Sequence, residues 1–314
     1  MHRLCSVLLS LMLLSAVWLQ AGEPFVFTPQ WTAQAQFAGY YAALEKGFYA
    51  EEGIEVQIVH PAASQSALDR IRSDRSQATT LQLAQALEIA DSGVPLVNIL
   101  QTSMNNGMVI VSRRGRNPLE QRGARVGIWN AGFGQLALCM SRIEHLDYEW
   151  IAFVDNVNLF VSGAVDATLA MGYNEYFQLL QTGIELDESS VYRFSDHGYN
   201  VQEDGVYMTL AGYRADKDRA ERFARASRRG WEWVAAHPEE ALEIVMQYVE
   251  KYRIPTNRVI QKLMLEEILR LQLDPDSHTR DFRLREDMVT RASALMTECG
   301  MLKKEIPFQE LLPR

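Results

Sequence analysis

The chain has 314 residues, of which 47% are hydrophobic and 23% are charged. This balance is typical of a folded protein and argues against disorder, and the length allows two domains or lobes with separate cores. The formal net charge is −9, and the Lys and Arg residues form no basic stripe interleaved with aromatics, which argues against a nucleic-acid partner.

Residues 1–22 have the pattern of an export signal. They contain Arg3, an apolar run over 7–19, and the small residues Ala21 and Gly22 at a position suited to cleavage. The apolar run is interrupted by two serines and is short for crossing a bilayer, so a retained membrane anchor is the less favoured alternative. We expect an exported protein whose signal peptide is cleaved near residue 21 or 22.

Two cysteines, Cys139 and Cys299, remain after removal of this signal. They are too few and too far apart in sequence to indicate a disulfide framework, and their spacing matches no metal site. The sequence therefore predicts two buried free thiols and no metal centre.

The chain after the signal alternates between strand-like and helix-like segments. FVFTPQW predicts a strand followed by a loop, AQFAGYYAALEKGFYAEEG a helix that stops at Gly53, and IEVQIVHP a second strand. The alternation restarts with the strand RVGIWN and the helix GFGQLALCMSRIEHL, and after residue 215 the pattern is helical, with a break at His237-Pro238. This alternation of strands and helices predicts an α/β protein with layered sheets.

Two apolar extended segments, MVIVS near residue 110 and VYMTLAGY near residue 209, suit a pair of strands that cross between two lobes. A ligand site would then lie in the cleft between the lobes. The predicted organisation is a signal peptide over 1–22, the first part of lobe 1 over 23–110, lobe 2 over 111–206, and a return to lobe 1 with C-terminal helices over 207–314.

Several segments together resemble a known family. They are QWTAQAQFAGYYAALEKGFYAEEGIEV, SGVPLVNI, RVGIWNAGFG, GAVDATLAMGYNEY and EDGVYMTLAGYRADKDRAERFARASRRGWEWVAAHPEEALEIV. The chain is similar to the substrate-binding proteins of bacterial ABC importers, in the branch for thiamine pyrimidine precursors, nitrate, sulfonate and taurine. The QFAGYY and YNEY pieces look closest to the pyrimidine-precursor members, which include a riboflavin-binding relative.

This resemblance implies a type II periplasmic binding protein fold, with two α/β lobes joined by two crossing strands and a ligand cleft between them. It also implies a monomer that closes around a small ligand and delivers it to the permease and ATPase subunits of an ABC transporter. A sensor that signals to a membrane receptor by the same closure remains an alternative.

The resemblance also extends to a pyridoxal-phosphate enzyme, the fungal-type pyrimidine synthase. Such chemistry requires a lysine amine in the cleft, and no Lys occurs between Gly47 and Asp216. The sequence therefore predicts a binding protein with no catalytic residue and no cofactor.

Candidate ligand contacts in the first lobe follow the first strand. Trp31 lies at a strand-to-loop junction, where open α/β sheets bind ligands, and Gln36, Phe37 and Tyr40 begin the next helix. The alternative for Phe37 and Tyr40 is a place in the core, because they share one helical face with Leu44.

Candidate contacts in the second lobe follow two further strands and the second crossing. Aromatic faces and polar edges are what a planar heteroaromatic ligand requires. Tight turns or helix capping would explain some of these residues equally well. The candidates are Trp129, Asn130, Phe133, Tyr173, Asn174, Glu175 and Glu203.

None of the candidate residues is Arg or Lys, which oxyanions such as sulfonates require. A neutral or amine-bearing ring therefore fits better than a sulfonate or taurine, and the resemblance implies a pyrimidine precursor of thiamine. A riboflavin-like ligand stays open. The histidines, including His60, are interpreted as surface or capping residues.

Overall fold

The structure, a computed structural model, describes residues 23–61, 67–72, 75–130, 132–154 and 157–314. The predicted signal peptide lies outside these residues. Within the described ranges, no helix has the length and apolarity required to cross a membrane.

The strands of the described chain fall into two sheets. Their bounds are β1 (Phe25–Thr28), β2 (Val56–Ile58), β3 (Ala78–Gln82), β4 (Leu96–Gln101), β5 (Met108–Ser112), β6 (Arg125–Trp129), β7 (Glu149–Phe153), β8 (Ala167–Met171), β9 (Val191–Arg193) and β10 (Asp204–Thr209).

Helices cover both sheets and form most of the C-terminal third. Their bounds are α1 (Ala38–Glu45), α2 (Phe48–Glu51), α3 (Ala67–Arg72), α4 (Leu83–Asp91), α5 (Gln135–Ile143), α6 (Asn158–Val161), α7 (Glu175–Gln181), α8 (Leu210–Ala215), α9 (Lys217–Ala236), α10 (Pro238–Lys251), α11 (Arg258–Leu271) and α12 (Glu286–Glu298). The break predicted at His237-Pro238 is confirmed, because α9 ends just before His237 and Pro238 begins α10.

The two sheets share one topology. The first has the order β2-β1-β3-β10-β4 and the second β7-β6-β8-β5-β9. In the first sheet β1 is parallel to β2 and β3, and β10 is antiparallel to its neighbours; in the second, β6 is parallel to β7 and β8, and β5 is antiparallel to its neighbours. Each lobe is therefore a parallel α/β unit with one antiparallel strand that arrives from the other lobe.

The chain crosses between the lobes twice, over 102–107 and over 197–203. The crossings lie side by side, since Asn200 accepts a hydrogen bond from the Asn106 backbone N–H and donates one to Asn105. The predicted boundaries after residues 110 and 206 fall inside β5 and β10, because each of these strands already belongs entirely to its own sheet. The predicted two-lobed α/β architecture itself is confirmed.

Close backbone approach fixes α1 against α9. A Cβ atom at Gly39 would lie 2.2 Å from the Trp231 ring, and one at Gly230 would lie 2.0 Å from the Gly39 carbonyl oxygen. Only glycine allows the two helices to meet this closely. This contact places the loop before α1, which carries candidate ligand residues, firmly on the first lobe.

The prediction of two free thiols is wrong. Cys139, in α5 of the second lobe, forms a disulfide with Cys299, which follows α12, and the two Cα atoms are 5.1 Å apart. Their sequence separation of 160 residues gives no local signal, because only the packing of α12 against α5 brings them together.

The disulfide gives a direct prediction for protein expressed from residue 23. Alkylation of the denatured protein should modify no cysteine before reduction and two cysteines after it, as counted by mass spectrometry. The double variant Cys139→Ser/Cys299→Ser should lower the free energy of unfolding by about 2–5 kcal/mol, because the cross-link constrains the unfolded chain. Two modified thiols without reduction would contradict the pairing.

Candidate functional site

A cleft lies where the carboxyl ends of parallel strands from the two lobes meet. The contributing strands are β1 and β3 in the first lobe and β6 and β8 in the second. This is where open α/β sheets bind ligands, because the loops that follow the strands converge there. The lining side chains are Gln30, Trp31, Gln34, Gln36, Gln82, Trp129, Phe133, Met171, Tyr173, Asn174 and Glu175.

The first-lobe wall is the loop that follows β1. The Gln30 backbone N–H donates a hydrogen bond to Thr80 Oγ1 of β3 over 2.8 Å, which holds the loop against the sheet edge. Gln82, the last residue of β3, extends the same wall. Trp31 is only half-buried and presents its indole to the cleft.

His60 holds this loop from behind, and its interpretation as a surface or capping residue is wrong. Its Nδ1 lies 2.6 Å from the Trp31 carbonyl oxygen and its Nε2 lies 2.7 Å from the Tyr41 hydroxyl. A carbonyl oxygen can only accept, so Nδ1 carries the proton and Nε2 accepts from Tyr41. Burial lowers the pKa of His60 to about 4, which keeps the imidazole neutral at neutral pH.

The second-lobe wall is organised by Glu175, the first residue of α7. Its carboxylate accepts hydrogen bonds from Trp129 Nε1 at 3.3 Å, Asn174 Nδ2 at 3.2 Å and the Met171 backbone N–H at 2.9 Å. Burial raises the pKa of Glu175, while these donors act in the opposite direction. Glu175 thereby fixes the orientation of the Trp129 ring and of Asn174 at the cleft.

The lobes contact one another across the cleft. The rings of Trp31 and Phe133 meet edge to face with centroids 5.5 Å apart. On one flank of the cleft, Gln135 of α5 donates to Glu88 of α4 over 2.8 Å. On the other flank, Asn257 beside α11 donates to Gln181 of α7 over 3.3 Å. The structure is therefore that of a closed cleft.

Two buried carboxyl groups lie beneath the cleft floor, at the end of the second crossing. Glu203 accepts from the Gly107 backbone N–H at 2.6 Å and from the Tyr173 hydroxyl at 3.0 Å. Asp204 accepts from the side-chain amides of Gln30 and Gln36. Burial raises the pKa of both carboxyl groups, and for Glu203 the neighbouring Asp204 charge adds to the effect.

The structure brings seven of the eleven candidate residues together at the cleft, namely Trp31, Gln36, Trp129, Phe133, Tyr173, Asn174 and Glu175. The other four lie elsewhere. Phe37 is fully buried beside His60, and Tyr40 packs against Phe27 in the core. The Asn130 side chain is exposed to solvent, and Glu203 lines a separate inner cavity behind the floor.

Three glutamines at the cleft were not among the candidates. Gln30 and Gln34 flank Trp31 in the same loop, and Gln82 ends β3. The rule that located Trp31, a position just after a strand, would also have located Gln30 and Gln82. Among the residues that the structure describes, no Arg, Lys or His lines the cleft.

Two lobes, two crossings and a cleft at the strand ends define a solute-binding protein of the periplasmic binding protein type. The chain belongs to the NMT1/THI5-like family, whose sequence profile matches residues 34–241. The family and fold expected from the sequence are therefore confirmed.

A curated relative is the formylaminopyrimidine-binding protein of Halalkalibacterium halodurans, which is 24% identical over 258 residues, 78% of this chain and 77% of the relative.

Two solved structures share the fold. The ligand-binding component of an ABC-type import system from Staphylococcus aureus has a TM-score of 0.66 at 10% identity and covers 91% of this chain and 96% of its own. The periplasmic aliphatic sulphonate binding protein of Escherichia coli has a TM-score of 0.64 at 12% identity, with coverages of 93% and 92%. These relatives are binding proteins, and the chain is a binding protein rather than an enzyme, as the sequence predicts.

The buried His60 predicts a specific pH dependence of stability. Its pKa is about 4 in the folded chain and about 6.5 when unfolded, so below pH 6.5 protons bind more strongly to the unfolded chain. The free energy of unfolding should therefore fall by roughly 2 kcal/mol on this account between about pH 7 and about pH 4.5.

The variant His60→Gln isolates this contribution, because an amide can replace both hydrogen bonds but does not titrate in this range. Urea unfolding at the two pH values should show the wild type losing about 2 kcal/mol more than the variant. An equal loss in both proteins would contradict a neutral, buried imidazole.

Proposed function

We propose that the protein is the exported solute-binding component of an ABC importer and that its ligand is a small planar heteroaromatic of the aminopyrimidine class, such as a pyrimidine precursor of thiamine. The observation that carries this proposal is a cleft with aromatic walls and amide edges that contains no cation among the described residues. The lobes would close over the ring, and the closed form would be recognised by a membrane permease.

The aromatic side chains supply flat faces from both lobes. Trp31 belongs to the first lobe, while Trp129, Phe133 and Tyr173 belong to the second. Since aromatic rings favour stacked or edge-to-face contacts at centroid distances of about 4.5–7 Å, a flat ring would be held between the lobes and would stabilise their closure.

The polar side chains supply hydrogen bonds but little charge. Gln30 Oε1 and Gln82 Nε2 are buried polar atoms that have no partner in the protein. A buried amide that lacks a partner is costly, so a ligand that satisfies both atoms gains affinity. Sulfonates instead require cationic donors, and among the described residues no Arg, Lys or His lines the cleft.

Two observations support the cellular context. The relative from Halalkalibacterium halodurans is named for binding formylaminopyrimidine, and the fold neighbour from Staphylococcus aureus is a component of an ABC import system. The disulfide between Cys139 and Cys299 is of a kind that persists in oxidising compartments such as the periplasm. Both support export through the segment 1–22.

Ligand screening tests the proposal directly. Thermal unfolding should shift upward with aminopyrimidines in proportion to the logarithm of their concentration, because a ligand that binds only the folded state stabilises it. Mass spectrometry of small molecules released from the purified protein provides an unbiased check. Stabilisation by alkanesulfonates or flavins but not by aminopyrimidines would refute the proposed ligand class.

Removal of one cleft indole should separate binding from folding. Trp31→Ala should weaken ligand binding at least about tenfold, measured by titration calorimetry, because it removes a stacking face at the cleft mouth. Trp233→Ala is the matched control, since Trp233 is also half-buried but stacks on His237 in the helical layer away from the cleft. Equal affinities in Trp31→Ala and the wild type would assign Trp31 a structural role only.

A further inference from the structure

The backbone of Asp204 is held in place by several hydrogen bonds. Its backbone carbonyl accepts from the backbone N–H groups of Thr102 and Ser103, at 2.9 and 3.0 Å, and from Gln101 Nε2 at 2.9 Å. Gly205 allows the side chains of Asn98 and Gln101 to pack against it, where a Cβ atom would meet them at 2.4 Å. The carboxylate of Asp204 is therefore presented from a rigid point of the first lobe.

An ionised carboxylate only accepts hydrogen bonds, so it dictates how neighbouring amides turn. Gln30 directs its Nε2 to Asp204 Oδ1 over 2.8 Å, and Gln36 directs its Nε2 to Asp204 Oδ2. The oxygen of Gln36 then accepts from Gln34 Nε2 over 2.6 Å. One carboxylate thus sets the orientation of three cleft amides in sequence.

This orientation leaves a defined pattern for a ligand. Because the nitrogen of Gln30 is engaged by Asp204, its oxygen is the atom left without a partner, and Gln30 is 6% exposed and lines the cleft. Gln82, 5% exposed on the same wall, has an unpartnered nitrogen. Its backbone lies opposite Asp204 in the pairing of β3 with β10. The cleft floor therefore offers an acceptor and a donor from adjacent strands.

We infer that Asp204 is the positioning residue for ligand selectivity: by orienting Gln30, Gln36 and Gln34, it makes the cleft prefer ligands that present an N–H donor beside a ring-nitrogen acceptor over ligands in which the two are exchanged. This inference rests on the proposed function, since it concerns which planar heteroaromatic the same cleft selects. An aminopyrimidine edge has the preferred pattern, and the matching pyrimidinone, with a ring N–H beside a carbonyl oxygen, has the reverse.

The neighbouring carboxyl group provides a contrast within the same structure. Glu203 is also buried, but it accepts from Tyr173 and from the Gly107 backbone. None of the described cleft amides donates to Glu203 directly; Gln36 reaches it only through the Tyr173 hydroxyl. Replacement of the Glu203 carboxyl group should therefore affect closure without changing the donor and acceptor pattern at Gln30.

The test compares the dissociation constants of one aminopyrimidine and its matching pyrimidinone for the wild type, Asp204→Asn and Glu203→Gln. The wild type should prefer the aminopyrimidine at least about tenfold, since a mismatched edge leaves buried amides unpaired. In Asp204→Asn this ratio should fall to about threefold or less, because the new amide can donate and lets Gln30 turn over. Glu203→Gln should keep the wild-type ratio even where it weakens both ligands.

Each outcome is decisive. An unchanged ratio in a folded Asp204→Asn would overturn the inference while leaving the proposed function intact. If neither ring binds the wild type, the proposed function itself fails. If Asp204→Asn does not fold, Gln30→Met decides: this variant keeps the side-chain length but removes the amide, so it should lose the preference, and a retained preference would overturn the inference.

Discussion

The structure depends on how two adjacent carboxyl groups, Glu203 and Asp204, are accommodated in the interior between the lobes. A buried carboxylate is costly unless hydrogen-bond donors surround it. Here the donors come from every side: the first crossing supplies the Gly107 backbone, the second lobe supplies Tyr173, and the loop after β1 supplies Gln30 and Gln36. The two crossings, the second lobe and the cleft floor are thereby joined in one hydrogen-bonded network.

This network explains why the closed arrangement is specific rather than a general collapse of two apolar faces. Tyr173 of the second lobe donates a hydrogen bond to Glu203 and accepts one from Gln36 of the first lobe. Its hydroxyl group therefore connects the two lobes at a defined point. The aromatic walls contribute area, but area alone does not fix orientation. The amides and carboxylates beneath them provide the directional contacts that determine which way a ring can lie.

The sequence predicts the architecture well because strand and helix periodicity and the order of the segments are local properties. It also locates Trp31 and Trp129, since Trp31 follows an apolar strand and Trp129 ends one. It cannot separate neighbours such as Gln36, at the cleft, from Phe37, which the short 3-10 turn over 35–37 directs into the core. Side-chain direction at such a turn depends on packing that the sequence does not display.

The same limit explains the residues that were missed. A glutamine in a sequence carries no pattern that marks it as a ligand contact. The place of Gln30, Gln34 and Gln82 at the cleft becomes visible only from their distances to Asp204 or to one another. His60 resembled a surface residue because its partners, the Trp31 carbonyl and the Tyr41 hydroxyl, lie 29 and 19 residues away. Long-range polar pairing is the part of the site that required the structure.

The disulfide gives the lobes a third covalent connection in addition to the two crossings. Cys299 is bonded to α5 of the second lobe, whereas the backbone N–H of Lys303 bonds to Asp91 at the end of α4 in the first. Four residues span at most roughly 14 Å when fully extended. This flank can therefore separate only slightly unless the segment between Cys299 and Lys303 detaches. Any opening of the cleft would have to be wider on the side of α7 and α11 than on the side of α4 and α5.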